Sequence, residues 1–169
     1  YTTLFRSCQD AHGNIYVSDF GNARITVFDK DGNGIFNFGT KSSDFSGLKG
    51  PTGIAISEVS VFDCDNITGA IYAFDLSGNY KDTLVKEKTF LFPESMKLYK
   101  NHLIVSDKKH VSTVEIGTGI VFENAYMGNA PSRITSAVPD KNGNIIVSDF
   151  LTNEVYIMAK MSELLGGLF

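Results

Sequence analysis

The sequence predicts an all-β fold made of four tandem copies of one four-stranded repeat, and three observations support this prediction. A segment near the start, Asp10–Phe20, recurs near the end as Asp140–Phe150 and matches at eight of eleven positions. The segments between turns are short runs of β-branched and aromatic residues, which is typical of strands, and no helix is needed. A strand that ends in aspartate appears four times, at intervals of 44, 44 and 42 residues: Asp19, Asp63, Asp107 and Asp149.

The first repeat contains four predicted strands, at residues 4–8, 15–18, 24–28 and 34–38. The turns between them contain Gly13, Asn14 and Asn22, and then the run Asp31–Gly34. Glycine and asparagine tolerate the positive φ angles that tight hairpin turns require. The repeat is therefore predicted to be an antiparallel meander.

The other three repeats follow the same order of strands. Their predicted strands are 53–56, 59–62, 70–74 and 80–84; then 96–99, 102–105, 112–116 and 120–122; then 133–137, 145–148, 154–158 and a last run near 164–165. Pro51, Pro93 and Pro131 stand just ahead of the first strand of each repeat, where the missing backbone donor is tolerated. The predicted repeats cover residues 1–40, 51–90, 93–128 and 131–169 and form one domain.

The composition argues against two classes of function. The chain has 169 residues, a net charge of -4 and a pI near 5.3, so it presents no diffuse positive field that would attract nucleic acid. No apolar run approaches the roughly 20 residues that a membrane-spanning helix needs. We therefore predict neither a nucleic-acid partner nor a membrane span. The chain begins with Tyr1 and not Met, which suggests a processed or trimmed product.

Four-stranded antiparallel repeats of about 40 residues are typical of β-propeller blades. Gly53-Ile54-Ala55 after Pro51, the run Gly-Asn-Ile-Tyr-Val-Ser-Asp at 13–19 and Asn22-Ala23-Arg24-Ile25 resemble the pattern of the NHL-repeat β-propeller family, in its bacterial type. The resemblance covers the whole chain, although Ala70, Ser112 and Glu154 stand where the first repeat has arginine. The predicted fold class is thus an all-β propeller of four-stranded antiparallel blades with four blades present.

The resemblance implies further properties. NHL propellers usually have six blades, so the four repeats are expected to be a segment of a larger propeller. Bacterial NHL proteins are commonly exported, which implies an extracytoplasmic location, periplasmic or secreted. An open arc of four blades would expose sheet faces and edges, so self-association is expected if the chain is complete. Related propellers also include metal-dependent lyases, lactonase-like hydrolases and RNA-binding modules, and these remain the alternatives.

We expect a non-catalytic binding or scaffolding module that contacts a protein partner or a larger complex through its loops, because loops on a rigid scaffold carry binding. The segment 64–69 is interpreted as a loop lengthened by two residues, and 41–50 as a connection between blades. Specific activity should lie in such features, which do not repeat. The residues predicted to bind a partner are Cys64, Asp65, Asn66, Lys86, Lys88, Lys108, Lys109 and His110.

The sequence shows no nucleophile motif and no cofactor fingerprint. The three histidines, at positions 12, 102 and 110, lack the paired spacing of a zinc site. We predict no catalytic residue and no cofactor, with a divalent cation such as Ca²⁺ or Zn²⁺ at the propeller mouth as the alternative. The four strand-end aspartates are predicted to accept hydrogen bonds from backbone amides of the next turn. Cys8 and Cys64 form either a disulfide or two thiols.

Overall fold

A computed structural model describes residues 6–127 and 131–160 of the chain. Strands dominate the described residues, and one short 3₁₀ turn, Phe20–Asn22, is present among them. The chain divides into two compact units, which meet along the sequence between Pro93 and Glu94. The all-β prediction therefore holds for the described residues.

The first unit contains two four-stranded antiparallel sheets in which each strand pairs with the next one along the chain. Sheet 1 consists of β1 (Arg6–Gln9), β2 (Ile15–Asp19), β3 (Arg24–Phe28) and β4 (Gly34–Phe38). Sheet 2 consists of β5 (Pro51–Ile56), β6 (Ser60–Asp65), β7 (Ala70–Asp75) and β8 (Tyr80–Val85). Both sheets are the predicted meanders.

The second unit repeats this order. Sheet 3 begins at the unit boundary and consists of β9 (Pro93–Tyr99), β10 (His102–Asp107), β11 (His110–Glu115) and β12 (Val121–Tyr126). Sheet 4 has three described strands, β13 (Ile134–Pro139), β14 (Asn144–Asp149) and β15 (Glu154–Lys160). The last predicted strand, near 164–165, lies outside the described residues.

Four hairpin turns share one local design, in which an aspartate precedes a Gly-Asn pair. In Asp75–Asn79 the Asp75 carboxylate accepts hydrogen bonds from the backbone N–H groups of Ser77 and Asn79 and from the Asn79 side chain, each at 2.9 Å. Gly78 has a φ of +85°, which glycine adopts without strain. The same bonds close the turns that begin at Asp10, Asp29 and Asp140.

The structure corrects the predicted register of the second repeat. Strand β6 ends at Asp65, so the equivalent strand-end residues are Asp19, Asp65, Asp107 and Asp149, at intervals of 46, 42 and 42 residues. Asp65 accepts the backbone N–H groups of Ile67 and Thr68 at 3.0 and 2.9 Å. The prediction of Asp63 for this role was wrong because a slip of two residues preserves the alternation of side chains, which is all that a sequence pattern reports.

The backbone-amide role itself is confirmed at other strand ends. Asp149 accepts the N–H groups of Leu151 and Thr152 at 2.9 and 3.2 Å. Asp19 accepts the N–H group of Asn22 at 3.3 Å. These carboxylates therefore fix the turn that follows their strand.

The predicted insertion at 64–69 was also misplaced. The loop between β6 and β7 is Asn66–Gly69, which equals in length the loops at 20–23 and 150–153. The extra residues lie instead between β4 and β5, in Gly39–Gly50, which we call the long connection. Its twelve residues compare with seven in the corresponding segments 86–92 and 127–133.

Each unit has a core in which one sheet packs face to face on the next. In the first unit, Tyr16, Ile25 and Val27 of sheet 1 pack against a face of sheet 2 that includes Ile54 and Val61. In the second unit, the corresponding contact joins two sets of aliphatic residues: Ile104 and Val111 of sheet 3, and Ile134, Ile145 and Val147 of sheet 4.

Candidate functional site

A cleft of about 400 Å³ lies in the first unit, between the long connection and the hairpin that joins β7 to β8. One wall is the end of β4 and the first half of the long connection, and the other is the hairpin and the residues beside it. The lining residues are Asn37, Phe38, Gly39, Thr40, Lys41, Ser42, Asp44, Phe45, Phe74, Ser77, Gly78, Asn79 and Tyr80.

The long connection is held in place at both ends. Its first residue, Gly39, accepts the backbone N–H group of Leu48 at 2.8 Å, and Phe45 accepts that of Ser42 at 2.9 Å. Its last residues, Lys49 and Gly50, donate their backbone N–H groups to one carboxylate oxygen of Asp65, at 2.6 and 2.9 Å. The connection is therefore a tied loop, and Asp65 fixes its return to sheet 2.

The floor of the cleft is aromatic. Phe45 stacks on Tyr80 with ring centroids 4.6 Å apart and planes 8° apart, and it meets Phe74 edge to face at 5.5 Å. Phe38 completes the group at 5.1 Å from Phe74. Because Phe38, Phe45 and Phe74 are buried, the rings are preorganised and lose little side-chain entropy when a ligand binds.

The rim of the cleft is polar and carries both charges. Ser42 donates its hydroxyl to Asp44 at 2.7 Å, and the Tyr80 hydroxyl lies 2.7 Å from that of Thr83. Lys41 and Asn37 are exposed at the same rim. The cleft can thus accept an apolar or aromatic group on its floor while the rim hydrogen-bonds to polar atoms.

Two of the residues predicted to bind a partner are buried in β6. Cys64 accepts the N–H group of Gly53 on its Sγ at 3.2 Å, and its Sγ lies 3.6 Å from Thr52 Oγ1. Burial raises the pKa of the Cys64 thiol to about 12, which makes it unreactive in the folded state. Cys64 and Asp65 therefore hold the structure together and do not belong to a loop. Cys64 is not bridged to Cys8.

The other predicted residues lie at the surface or near it, in both units. Asn66 donates its side-chain amide to the carbonyl of Pro93 at 3.1 Å. Lys86 and Lys88 are exposed in the segment that follows β8. In the second unit, His110 Nδ1 lies 3.1 Å from Glu123 Oε2, and the β10–β11 turn consists of two residues, Lys108 and Lys109.

None of the eight predicted residues lines the cleft. Their binding role therefore remains a prediction. The sequence analysis named the segment 41–50 among the features that do not repeat, and this segment supplies Lys41, Ser42, Asp44 and Phe45 of the lining. It did not predict any of these residues to bind a partner. The signal that points to them is the length of the long connection with Phe45 at its centre.

Asp63 is an unusual buried group outside the cleft. It is fully buried, and neither carboxyl oxygen has a hydrogen-bond partner among the described residues. Burial, and then the charge of Asp65, raise the pKa of the Asp63 carboxyl well above its ordinary value of 3.8. On the neighbouring strands it lies opposite Ile54 and Tyr72. The other three sheets have valine at this position: Val17, Val105 and Val147.

Within residues 6–127 and 131–160, no group of three or more histidine, cysteine, aspartate or glutamate side chains could hold a metal ion. No helix there has the length and apolar character needed to cross a membrane.

Comparison with known proteins shows the fold. No protein-family model and no curated protein matches the sequence. Among solved structures, a catalytically inactive virginiamycin B lyase from Staphylococcus aureus with quinupristin matches at 13% identity and a TM-score of 0.72, covering 93% of this chain and 55% of that one. The WD40 β-propeller domain of Doa1 matches at 19% identity and 0.69, covering 91% and 49%.

A third match, in a nidogen–laminin complex, has 15% identity and a TM-score of 0.59, covering 90% of this chain and 61% of that one. The chain thus spans about half the length of the propellers that it resembles. At these identities the likeness shows the fold alone. The four sheets are blades of a β-propeller, as predicted. These matches do not show that the chain belongs to the NHL family.

Proposed function

We propose that this chain is a non-catalytic binding module that holds a segment of a partner protein in the cleft of the first unit. The observation that carries the proposal is the long connection, which departs from the repeat and, together with sheet 2, encloses an aromatic floor beneath a polar rim. An extracytoplasmic location, periplasmic or secreted, and membership of the NHL family belong to the same proposal.

The chemistry of the cleft supports a peptide-like ligand. Aromatic residues are enriched where protein partners bury their anchor side chains. The partly exposed ring of Tyr80, backed by the buried rings of Phe38, Phe45 and Phe74, offers such a surface. The volume of about 400 Å³ accommodates several side-chain groups. The amides and hydroxyls of Asn37, Ser42 and Ser77 suit the backbone of an extended segment. Lys41 and Asp44 would give such a segment a direction.

Two alternatives make different demands. An RNA-binding module would rely on the lysines at 86, 88, 108 and 109, in a chain whose net charge is -4. Its binding would weaken steeply with salt. A metal-dependent lyase or hydrolase is suggested by the likeness to virginiamycin B lyase, and such an enzyme would consume a ligand and not merely hold it.

The test is selection of peptides from a displayed random library on the purified chain, followed by measurement of Kd on two variants. Ser77→Trp places an indole in the cleft. Asp31→Trp places the same group at the equivalent exposed position of the β3–β4 turn, which is outside the cleft. We expect selected peptides to lose at least about tenfold in affinity, about 1.4 kcal/mol, with Ser77→Trp and to bind Asp31→Trp like the original chain.

Peptides that bind Ser77→Trp as well as the original chain would overturn the proposal. So would turnover of quinupristin in the presence of divalent metal, which would favour the lyase. Binding of single-stranded RNA that falls with added salt, and that Ser77→Trp leaves unchanged, would favour the RNA-binding module.

A further inference from the structure

The outer face of sheet 4 is apolar and open to solvent. Val155 and Ile157 of β15 are 69% and 74% exposed. They lie opposite Ser148 and Ile146 of β14, on the face of the sheet turned away from the core of the second unit. Val138 of β13 lies opposite Ile146 on the same face. Large exposed apolar side chains that are neighbours on one face indicate an interaction surface.

Sheet 1 is covered by sheet 2 in the first unit, and sheet 3 is covered by sheet 4 in the second. In both covered sheets, the residues equivalent to Val155 and Ile157 are buried. In sheet 1 they are Ile25 and Val27, opposite Ser18 and Tyr16 of β2, and both are 0% exposed. Sheet 2 covers them. In sheet 3 they are Val111 and Thr113, also 0% exposed, and Val111 packs against sheet 4. The exposed face of sheet 4 is therefore the kind of face that a following sheet covers.

Sheet 1 leaves open the opposite kind of face, the one with which a sheet packs onto the sheet before it. In sheet 4 this face packs on sheet 3 and carries Ile145 and Val147 of β14, which are both fully buried. The equivalent residues of sheet 1 are Ile15 and Val17 of β2, with Phe28 opposite Ile15 on β3, and all three are only partly buried. Among the described residues, sheet 4 thus has an uncovered face of the first kind and sheet 1 has an uncovered face of the second kind.

We propose that a second copy of this chain covers the outer face of sheet 4 with the outer face of its own sheet 1. The contact would repeat the sheet-on-sheet packing that both units already contain, which is the argument for this occupant. Such an interface is heterologous, because the two copies contribute different surfaces. The proposal is independent of the cleft and of its ligand.

Sedimentation velocity of the purified chain from micromolar to near-millimolar concentration tests the proposal. The original chain should associate as concentration rises. Val155→Lys, which puts a charge on the face, should weaken association at least about tenfold. The matched control is Val59→Lys, because Val59 is 73% exposed in the β5–β6 turn, and it should associate like the original chain.

A mixing experiment distinguishes this interface from other modes of association. Val155→Lys blocks the face of sheet 4 and leaves sheet 1 open, whereas Val17→Lys does the reverse. Each variant alone should remain monomeric, and an equal mixture should form a one-to-one dimer that grows no further. Circular dichroism checks that both variants keep the β-sheet spectrum of the original chain.

Two outcomes would overturn the proposal. If the original chain is monomeric at every concentration, a second copy does not cover the face, and a further blade of a longer polypeptide becomes its occupant. If Val155→Lys associates as strongly as Val59→Lys, the interface lies elsewhere on the molecule.

Discussion

The contact between sheets 1 and 2 and the contact between sheets 3 and 4 have the same design and different contents. The first is rich in aromatic residues, contains Phe45 from the long connection and holds the buried Asp63. The buried residues of the second are aliphatic, and Val147 stands where sheet 2 has Asp63. The connection between sheets 3 and 4 is seven residues long, against twelve between sheets 1 and 2.

This difference separates what builds a blade from what distinguishes one blade from another. The contact between sheets 3 and 4 shows that aliphatic faces are sufficient to join two sheets. Phe45, the long connection and Asp63 are therefore not needed to join two sheets. Asp63 also costs stability, because its buried carboxyl has no hydrogen-bond partner among the described residues, so its presence requires another reason. The long connection and Asp63 both lie in the first unit, where we propose the binding site.

Truncation of Phe45 should have the largest effect. Phe45 is 6% exposed and contacts Tyr72, Phe74 and Tyr80. Phe45→Ala should lower the free energy of unfolding by about 3–5 kcal/mol, because it leaves a cavity in a packed cluster. Urea unfolding followed by circular dichroism measures this. Phe150→Ala in the second unit is the control, since Phe150 is 63% exposed, and it should change stability by no more than about 0.5 kcal/mol. Equal losses of stability in Phe45→Ala and Phe150→Ala would show that Phe45 does not stabilise the contact between sheets 1 and 2.

Replacing Asp63 with the valine of the other sheets should have an intermediate effect of opposite sign. Asp63→Val should raise the free energy of unfolding at pH 7 by about 1–3 kcal/mol, because it removes a buried polar group that has no hydrogen-bond partner among the described residues. The reciprocal Val147→Asp should destabilise the second unit. If Asp63→Val is destabilising, the carboxyl has a partner that stabilises the fold.

The pH dependence of the same variant tests the raised pKa of Asp63. The folded carboxyl holds its proton above the ordinary value of 3.8, so the unfolded chain ionises first as pH rises. Stability from this group is then fully present below about pH 4 and is lost as pH rises through the raised folded pKa. The stability difference between Asp63→Val and the original chain should therefore widen from pH 4 upwards. Asp63→Asn, which cannot titrate, should remove the same pH dependence. A stability difference between Asp63→Val and the original chain that stays constant with pH would contradict the raised pKa.

The smallest effect concerns the cysteines and leaves stability unchanged. Cys64 is fully buried with a thiol pKa near 12, whereas Cys8 is only partly buried in β1. A thiol reagent such as 5,5′-dithiobis-(2-nitrobenzoate) should modify Cys8 at least about tenfold faster than Cys64 in the folded chain. Cys8→Ser should abolish the fast phase, and both cysteines should react at similar rates in urea. Loss of the slow phase in Cys8→Ser would show that Cys64 is the accessible thiol.

The sequence by itself determined the features that depend on short-range contacts. The four repeats, the order of their strands and the Gly-Asn turns follow from local periodicity. The hydrogen bonds that close these turns, such as that from Asn79 to Asp75, span only four residues. The role of strand-end aspartates was also predicted correctly, because Asp149 bonds to the amides just after it.

Only the tertiary structure decided which aspartate of β6 has that role, where the insertion lies and where a cleft forms. Asp65 is selected by contacts with the amides of Lys49 and Gly50, about fifteen residues earlier in the chain. The cleft exists because Phe45 crosses to Tyr80, far along the sequence. Asp63 is buried for the same reason, since the apolar faces of sheets 1 and 2 meet around it, and no local pattern records which faces meet.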